Sequence, residues 1–260
     1  MDLGLSGKRA LVIGASQGIG RAIAEGLASE GCNVAIASRS AEKLKTVADG
    51  IASAGGSASV HTVDLSDISS VSALAESVLA AGPVDILVNN CGGPPPSGAL
   101  GVAADEWRRQ FDAMVISSIT LTEAVVPGMR ERGWGRIQFI LSSGVIQPIP
   151  TLGISNVLRS SVASFSKTLA KEVAPHGITS NVLLPGRIET DRLLSLDQKT
   201  AEREGMDVAD VRKRSQSAVP VGRYGQPREF ADVAAFLASE RASYVTGMMM
   251  RIDGGLINTM

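Results

Sequence analysis

The sequence predicts an α/β fold, a single doubly wound parallel sheet of about seven strands with helices on both faces. Three observations predict it. The stretch Arg9 to Gly31, RALVIGASQGIGRAIAEGLASEG, passes from an apolar run through three glycines into an amphipathic helical pattern. Apolar runs then alternate with helical patterns, as parallel strands joined by crossover helices require. Finally, 260 residues with 44% hydrophobic and 20% charged side chains suit one compact domain burying roughly three-quarters of its unfolded surface.

The first unit reads strand, tight loop, helix. Gly14, Gly18 and Gly20 let the backbone turn with positive φ and approach a ligand closely, while Ile23, Ala24 and Leu27 give the helix its buried face. A bare helix N-terminus faces the loop, and its unpaired N–H groups and positive dipole end suit a pyrophosphate, which makes a dinucleotide the ligand to expect. NVAIAS (33–38), a helix over Ala41 to Ala54 and SASVHTVDL (57–65) complete a βαβαβ unit. A helix from about Ile68 to Ala81 leads to VDILVNN (84–90), whose continuous apolar run suits a strand covered on both faces. NCGGPPPSG (90–98) is a rigid loop, stiffened by its prolines toward polyproline II.

One long helix is expected from about Asp105 to Arg132, ending at Gly133. Strand GRIQFIL, the polar connection SSGVIQPIPTLG and a helix of about twenty residues ending near APHG follow. ITSNVLLP (178–185) is the sixth strand. The polar, charged segment 186–225 reads as a helical lid over substrate, and a helix over Pro227 to Ser239 with the strand MMMRIDGG finishes the sheet. With no linker, repeat or low-complexity stretch, residues 1–260 form one domain.

Composition narrows the function. A net charge of −1, with no basic cluster long enough to follow a phosphate backbone, argues against nucleic acid and for a small-molecule substrate. MDLGLSGKR has no apolar core of signal-peptide length, and no apolar run reaches the roughly 20 residues of a bilayer span, so a cytoplasmic protein without membrane contact is expected. Cys32 and Cys91 suit neither a disulfide framework nor a metal site, and the two histidines lie far apart, so no metal is implied. A carboxylate roughly 20 residues past the glycine loop would bind the adenosine ribose diol and select NAD(H). Ser38 and Arg39 stand there instead, and an arginine pairs well with a 2′-phosphate, so NADP(H) is preferred over NAD(H). The plainer alternative for Arg39 is a solvated charge opening the next helix.

The spacing G-x-x-x-G-x-G, with Ala15 and Ser16 inside it, resembles the short-chain dehydrogenase/reductase family of Rossmann-type enzymes, and in particular its 3-oxoacyl-carrier-protein reductase-like members. The resemblance covers nearly the whole chain. Asp64-Leu65 match the family's adenine-contacting pair, and Asn89-Asn90-Cys91-Gly92 resembles its N-N-A-G. Pro185-Gly186, with Thr190 five residues after the proline, resembles the segment that holds the nicotinamide carboxamide, and Asp253-Gly254-Gly255 matches a C-terminal signature. The resemblance implies cofactor contacts from Gly14, Ser16, Gln17, Gly18, Ile19, Gly20, Ser38, Arg39, Asp64, Leu65, Asn90, Gly92, Arg159, Pro185, Gly186, Ile188 and Thr190. Gln17 runs against NADP(H), because some NADP-using relatives carry a basic residue there. Singly, Asp64 also suits a cap, Asn90 a turn and Pro185-Gly186 a strand end. Cys91, where the family has alanine, reads as a small packed side chain. A homotetramer is implied too, since relatives pair the helices matching Asp105 to Arg132 and Gly153 to Pro175, with MMMRIDGG as a second interface.

The family's proton-transfer set is Asn, Ser, Tyr and Lys. In register, those positions are Met114, Ser142, Ser155 and Arg159, so only the serine matches. Tyr224 and Tyr244 fall in late segments assigned to lid and sheet packing. Arg159 keeps a cation four residues from Ser155 on one helix face, able to bond the nicotinamide ribose, but an aliphatic hydroxyl is a much poorer acid than a phenol. Losing a general acid costs roughly 3 to 5.5 kcal/mol, whereas positioning two reactants supplies roughly 7 to 11, so slow hydride transfer survives this arithmetic. Ser155 as a helix N-cap and Arg159 as a surface or interface charge are the competing readings, with Met114 as packing. The lid adds Arg187, Glu189, Asp191 and Arg192, of which Arg187, directly after Pro185-Gly186, is the candidate for a substrate carboxylate or an oxyanion. Two function classes follow. One is an NADP(H)-dependent oxidoreductase of a small carbonyl or alcohol using Ser142, Ser155 and Arg159. The other is a non-catalytic NADP(H)-binding sensor or scaffold. Retention of Ser142 and exchange of lysine for another cation favour the enzyme.

Overall fold

The computed structural model describes residues 2–259. Seven parallel strands, β1 (Arg9–Ile13), β2 (Asn33–Ser38), β3 (Ser57–Thr62), β4 (Ile86–Asn89), β5 (Gly135–Ile140), β6 (Ile178–Pro185) and β7 (Met249–Ile252), form one sheet in the order β3-β2-β1-β4-β5-β6-β7. The helices are α1 (Gly18–Ser29), α2 (Ala41–Ser53), α3 (Ile68–Ala80), α4 (Ala104–Phe111), α5 (Ser117–Arg132), α6 (Gly153–Val173), α7 (Asp191–Glu204), α8 (Val208–Ser217) and α9 (Pro227–Ala238).

Strand side chains alternate between two apolar cores, so the central strands are hydrophobic throughout. Leu11, Ile13, Leu87, Ile137 and Phe139 pack under Leu74 of α3, Leu121 and Val125 of α5 and Leu158 of α6. Val12, Ile36, Ile86, Val88 and Ile140 face the other way, under Ile23 and Leu27 of α1, Leu44 of α2 and Phe230 of α9. Strand order reverses between β1 and β4, which opens a crevice at the C-terminal ends of the strands.

The expected long helix is interrupted. Between α4 and α5, Asp112–Ile116 form a π-helical segment centred on Met114. Hydroxyls explain why it is tolerated: Ser117 Oγ donates to the Ala113 carbonyl at 2.7 Å, Ser118 Oγ to that of Met114 at 3.0 Å and Thr122 Oγ1 to that of Ser118 at 2.7 Å. These bonds give the carbonyls other donors, so one extra residue fits in the turn. An 18-residue window within the combined run Ala104–Arg132 reaches a mean hydropathy of 1.2, long and apolar enough by composition to cross a membrane. Here its apolar face is core, with Leu121, Val125 and Met129 buried.

The crevice floor depends on a close approach between two loops. Gly14 has φ +67°, and a side-chain carbon there would lie 2.2 Å from the Asn90 carbonyl oxygen. At Gly20 such a carbon would lie 2.3 Å from the Gly14 carbonyl oxygen. The Gly14→Ala variant is therefore expected to lose more than about 2 kcal/mol of stability, from left-handed strain plus collision with backbone. Gly50→Ala, mid-helix in α2 with nothing within 4 Å, should gain about 0.5–1 kcal/mol. Urea denaturation of the two variants beside the parent chain checks both signs.

Candidate cofactor and active site

The glycine loop leaves α1 with donors to spare. Its N-cap, Gln17, makes no side-chain cap bond, so first-turn N–H groups face the crevice. Asn90, at the end of β4, donates from Nδ2 to the Gly14 carbonyl at 3.3 Å and so ties the loops together, which is more than a turn residue does. Gly92 faces open space. Across the crevice, Thr190 caps α7 through Leu193 N at 3.3 Å, and its methyl lies 3.3 Å from where a side chain on Gly18 would begin. Gly186 packs against Asp253, whose carboxylate accepts from the N–H groups of Gly255 and Ile257 and so fixes the turn after β7.

Ser38 and the exposed Arg39 end β2 beside the loop. The sequence reading missed Lys43, four residues beyond Arg39, whose Nζ donates to Gln17 Oε1 at 3.0 Å. The polar Gln17 thus brings a second cation to this corner, and the signal was the i, i+4 spacing from Arg39. Asp64 is not a helix cap, since Asp67 caps α3; its carboxylate closes a local turn by accepting from the N–H and hydroxyl of Ser66, and these bonds, helped by Arg39, hold its pKa below the usual carboxylate range. Leu65 is half-buried beside it.

Arg159 joins the other strand ends. Its Nε donates to Ser155 Oγ at 3.2 Å, one terminal nitrogen to the Ile140 carbonyl at 3.0 Å and the other to the Cys91 carbonyl at 3.5 Å. Ser155 and Arg159 are 5% and 7% exposed, so the arginine is not a surface charge. Nor is Ser155 an N-cap, because α6 starts at Gly153 with Leu152 as its cap. Ser155 donates to no protein group among the described residues, which leaves its proton available. Ser142 follows β5, and its Oγ accepts from Gly144 N at 3.1 Å, fixing the turn that leaves the strand. Asn156, which sequence reading passed over, pins that connection by bonding both the N–H and the carbonyl of Ile149. Met114 is 1% exposed and packs in the core.

The segment 186–225, the expected lid, carries the helices α7 and α8. A bridge between Ile188 and Gly225 closes its base, and Tyr224 donates to buried Asp197 at 2.9 Å. Burial, chiefly, pushes the Tyr224 phenol up, and hydrogen bonding to Asp197 adds to it. Tyr224 therefore belongs to lid packing, whereas Tyr244, expected in sheet packing, is fully exposed before β7. Arg187 is exposed, and a different lid arginine reaches the crevice. Arg192 donates to the Gly93 carbonyl at 3.5 Å, with its guanidinium drawn inward although the residue as a whole is exposed. Desolvation, and then the charge of Arg159, lower its pKa. Cys32 is buried against the Leu5 carbonyl, with its thiol pushed up to about 12 mainly by burial.

Residues 14–257 match a family model described as "Enoyl-(Acyl carrier protein) reductase". The 3-oxoacyl-[acyl-carrier-protein] reductase FabG of Salmonella typhimurium is 37% identical over 257 residues, covering 98% of this chain and 99% of that protein. The chain belongs to the short-chain dehydrogenase/reductase family. Within the family, the L-sorbose reductase of Gluconobacter frateurii, solved with NADPH and L-sorbose, superposes with a TM-score of 0.95 at 35% identity, covering all of both chains. Actinorhodin polyketide ketoreductase, solved with NADPH, gives 0.92 at 34% identity over 97% of this chain and 98% of that one.

Proposed function

We propose that the protein is an NADP(H)-dependent oxidoreductase that interconverts a small carbonyl compound and its alcohol through an altered proton-transfer site. The buried Arg159–Ser155 pair carries this reading, because it sets a cation and a free hydroxyl proton at the strand ends that border the crevice. The crevice itself fits a dinucleotide. Gly14 and Gly20 leave no room for side chains, and α1 has open N–H groups. In this reading Ser16, Gly18 and Ile19 hold the diphosphate, Ser38, Arg39 and Lys43 the 2′-phosphate, and Asp64 and Leu65 the adenine. Asn90, Gly92, Arg159, Pro185, Gly186, Ile188 and Thr190 hold the nicotinamide end. The NADPH bound to two structural neighbours supports the choice of phosphate.

When bound, NADPH supplies the hydride for the carbonyl carbon. Ser142 and Ser155 direct their hydroxyl protons at the carbonyl oxygen. Arg159 polarises Ser155 Oγ and stabilises the negative charge that grows on that oxygen, and solvent delivers the one proton that completes the alcohol. Electrostatic stabilisation thus replaces a general acid.

Fluorescence titration should show NADPH binding at least ten-fold tighter than NADH. Arg39→Ala and Lys43→Ala should each cut that ratio roughly ten-fold, in line with charge-assisted hydrogen bonds of about 1.5–3 kcal/mol. Equal affinities for the two cofactors would refute the assignment.

An NADPH-oxidation screen over ketones, aldehydes, quinones and acyl thioesters should find a substrate. Ser142→Ala or Ser155→Ala should then lower kcat roughly 10²-fold, and Ser155→Tyr combined with Arg159→Lys should raise it. Silence of the parent chain beside tight NADPH binding, with activity only in the double variant, would leave a cofactor-binding sensor or scaffold.

We also propose a homotetramer. Phe111 and Val157 are exposed on α4 and α6, as are Phe236, Met248 and Met249 near β7, giving two apolar areas for pairing. Light scattering should return about four times 26.9 kDa at micromolar concentration, and a monomer would exclude it.

A further inference from the structure

Two guanidinium groups meet over one glycine. A side-chain carbon on Gly93 would lie 2.7 Å from a terminal nitrogen of Arg192 and 3.5 Å from one of Arg159. Gly93 is not in the left-handed region, so its backbone does not require glycine. What the missing side chain provides is room for the two cations. The loop carrying Gly93 is held in place, because Ser97 N donates to the Thr151 carbonyl at 2.9 Å and Gly153 N to that of Ser97 at 2.8 Å.

Such a pair is repulsive, and among the described residues neither arginine has a carboxylate within salt-bridge distance. The contrast with Arg136 is informative. That buried guanidinium donates to the carbonyls of Ser239, Gly135 and Gly177, stacks at 4.3 Å on Trp134, and feels the charge of Glu240. It is one cation, with three of its N–H groups bonded and a ring beneath it. Among the described residues Arg192 donates only to the Gly93 carbonyl, at 3.5 Å, and has a like charge for a neighbour, so most of its N–H groups have no protein acceptor there. Two planar, always-charged donor forks beside a free hydroxyl match an oxyanion with two coplanar oxygens.

We propose that Arg159 and Arg192 form a clamp for the substrate's carboxylate, so that the carbonyl compound reduced is an oxo acid. This rests on the oxidoreductase reading above and narrows its substrate class. The diphosphate and the 2′-phosphate of the cofactor are the other oxyanions to be held, but the glycine loop with α1 and the corner of Arg39 and Lys43 offer them separate donors. Arg159, by contrast, is bonded to Ser155, which places the clamp at the reacting hydroxyls.

Calorimetry with oxalate and its neutral isostere oxamide tests the clamp without turnover, on the full chain loaded with NADP⁺. Oxalate should bind and oxamide should not. Arg192→Leu should weaken oxalate binding at least ten-fold, Arg192→Lys should recover part of it, and Gly93→Ala, which crowds Arg192, should behave like the leucine variant. The NADPH dissociation constant of each folded variant, confirmed by its melting curve, should change less than about three-fold. Unchanged oxalate binding in Arg192→Leu overturns the clamp, and so does an NADPH loss as large as the oxalate loss, which would assign Arg192 to the cofactor diphosphate. In turnover assays, 2-oxobutanoate should be reduced at least ten-fold more efficiently than its methyl ester. Equal rates on the two sink the carboxylate assignment and leave the oxidoreductase standing. Clamped oxalate with no oxidation of NADPH by any oxo acid does the reverse, supporting the anion site and removing the oxidoreductase.

Discussion

The crevice is set by how closely two loops approach across the reversal in strand order. Asn90 bonds the Gly14 carbonyl, and that contact leaves no space for a side chain at position 14 or 20. Everything used to read function hangs from this junction. On one side α1 begins with open N–H groups and β2 ends in the basic corner of Arg39 and Lys43. On the other, Cys91, Gly92 and Gly93 continue the chain past Asn90 toward Arg159, Ser155 and Arg192. A shift of β4 against β1 would move both halves together, so one backbone-level contact sets the distance between the glycine loop and the proposed reacting hydroxyls.

Burying Arg159 is costly unless its donors are filled, because a desolvated charge without partners costs several kcal/mol. The strand ends and Ser155 take three of its five N–H groups and leave one on each terminal nitrogen. Ile140 and Cys91 carbonyls accept from the two terminal nitrogens, and Ser155 accepts from Nε. A lysine could place its three donors freely around one nitrogen, but only a planar guanidinium spans two strand ends and a hydroxyl at once. The arginine is therefore built into the scaffold and not merely pointed at a ligand. Its neighbour Arg192, on α7, makes a single bond at 3.5 Å, so the two cations approach the same point from different elements and with unequal anchoring.

The fold was largely legible from hydrophobic period and glycine placement, as in the match of ITSNVLLP to Ile178–Pro185 and of the lid to two helices. The interruption at Met114 was not legible, because its cause is hydroxyls bonding back to carbonyls and the sequence pattern stays helical through it. At the site, Ser142, Ser155 and Arg159 were picked out by register with a family. The burial of Ser155 and Arg159 and the bond between them depend on how far α6 lies from the strand ends, which no spacing reveals. Arg187 looked the better lid candidate from its place after Pro185-Gly186. The chain instead forms a bridge through Ile188 to Gly225, which leaves Arg187 exposed, and the cap at Thr190 then starts a helix that carries Arg192 inward.

The balance between lost and retained chemistry turns on where the transition-state charge falls. Reduction of a carbonyl places negative charge on oxygen before a proton arrives, and a protein can meet that charge with a proton or with a fixed cation. A phenol does the first. In the proposed reaction the arginine bonded to a serine hydroxyl does the second, in a buried setting where the interaction is far stronger than in water. On this proposal the exchange has a cost, since protonation waits on solvent, and a benefit, since a cation beside a second arginine would also attract an anionic substrate. A neutral ketone would draw on only half of that arrangement. A carboxylate next to the carbonyl would neutralise the repulsion between Arg159 and Arg192 on binding, and the energy released there would be available to order the lid from which Arg192 reaches in.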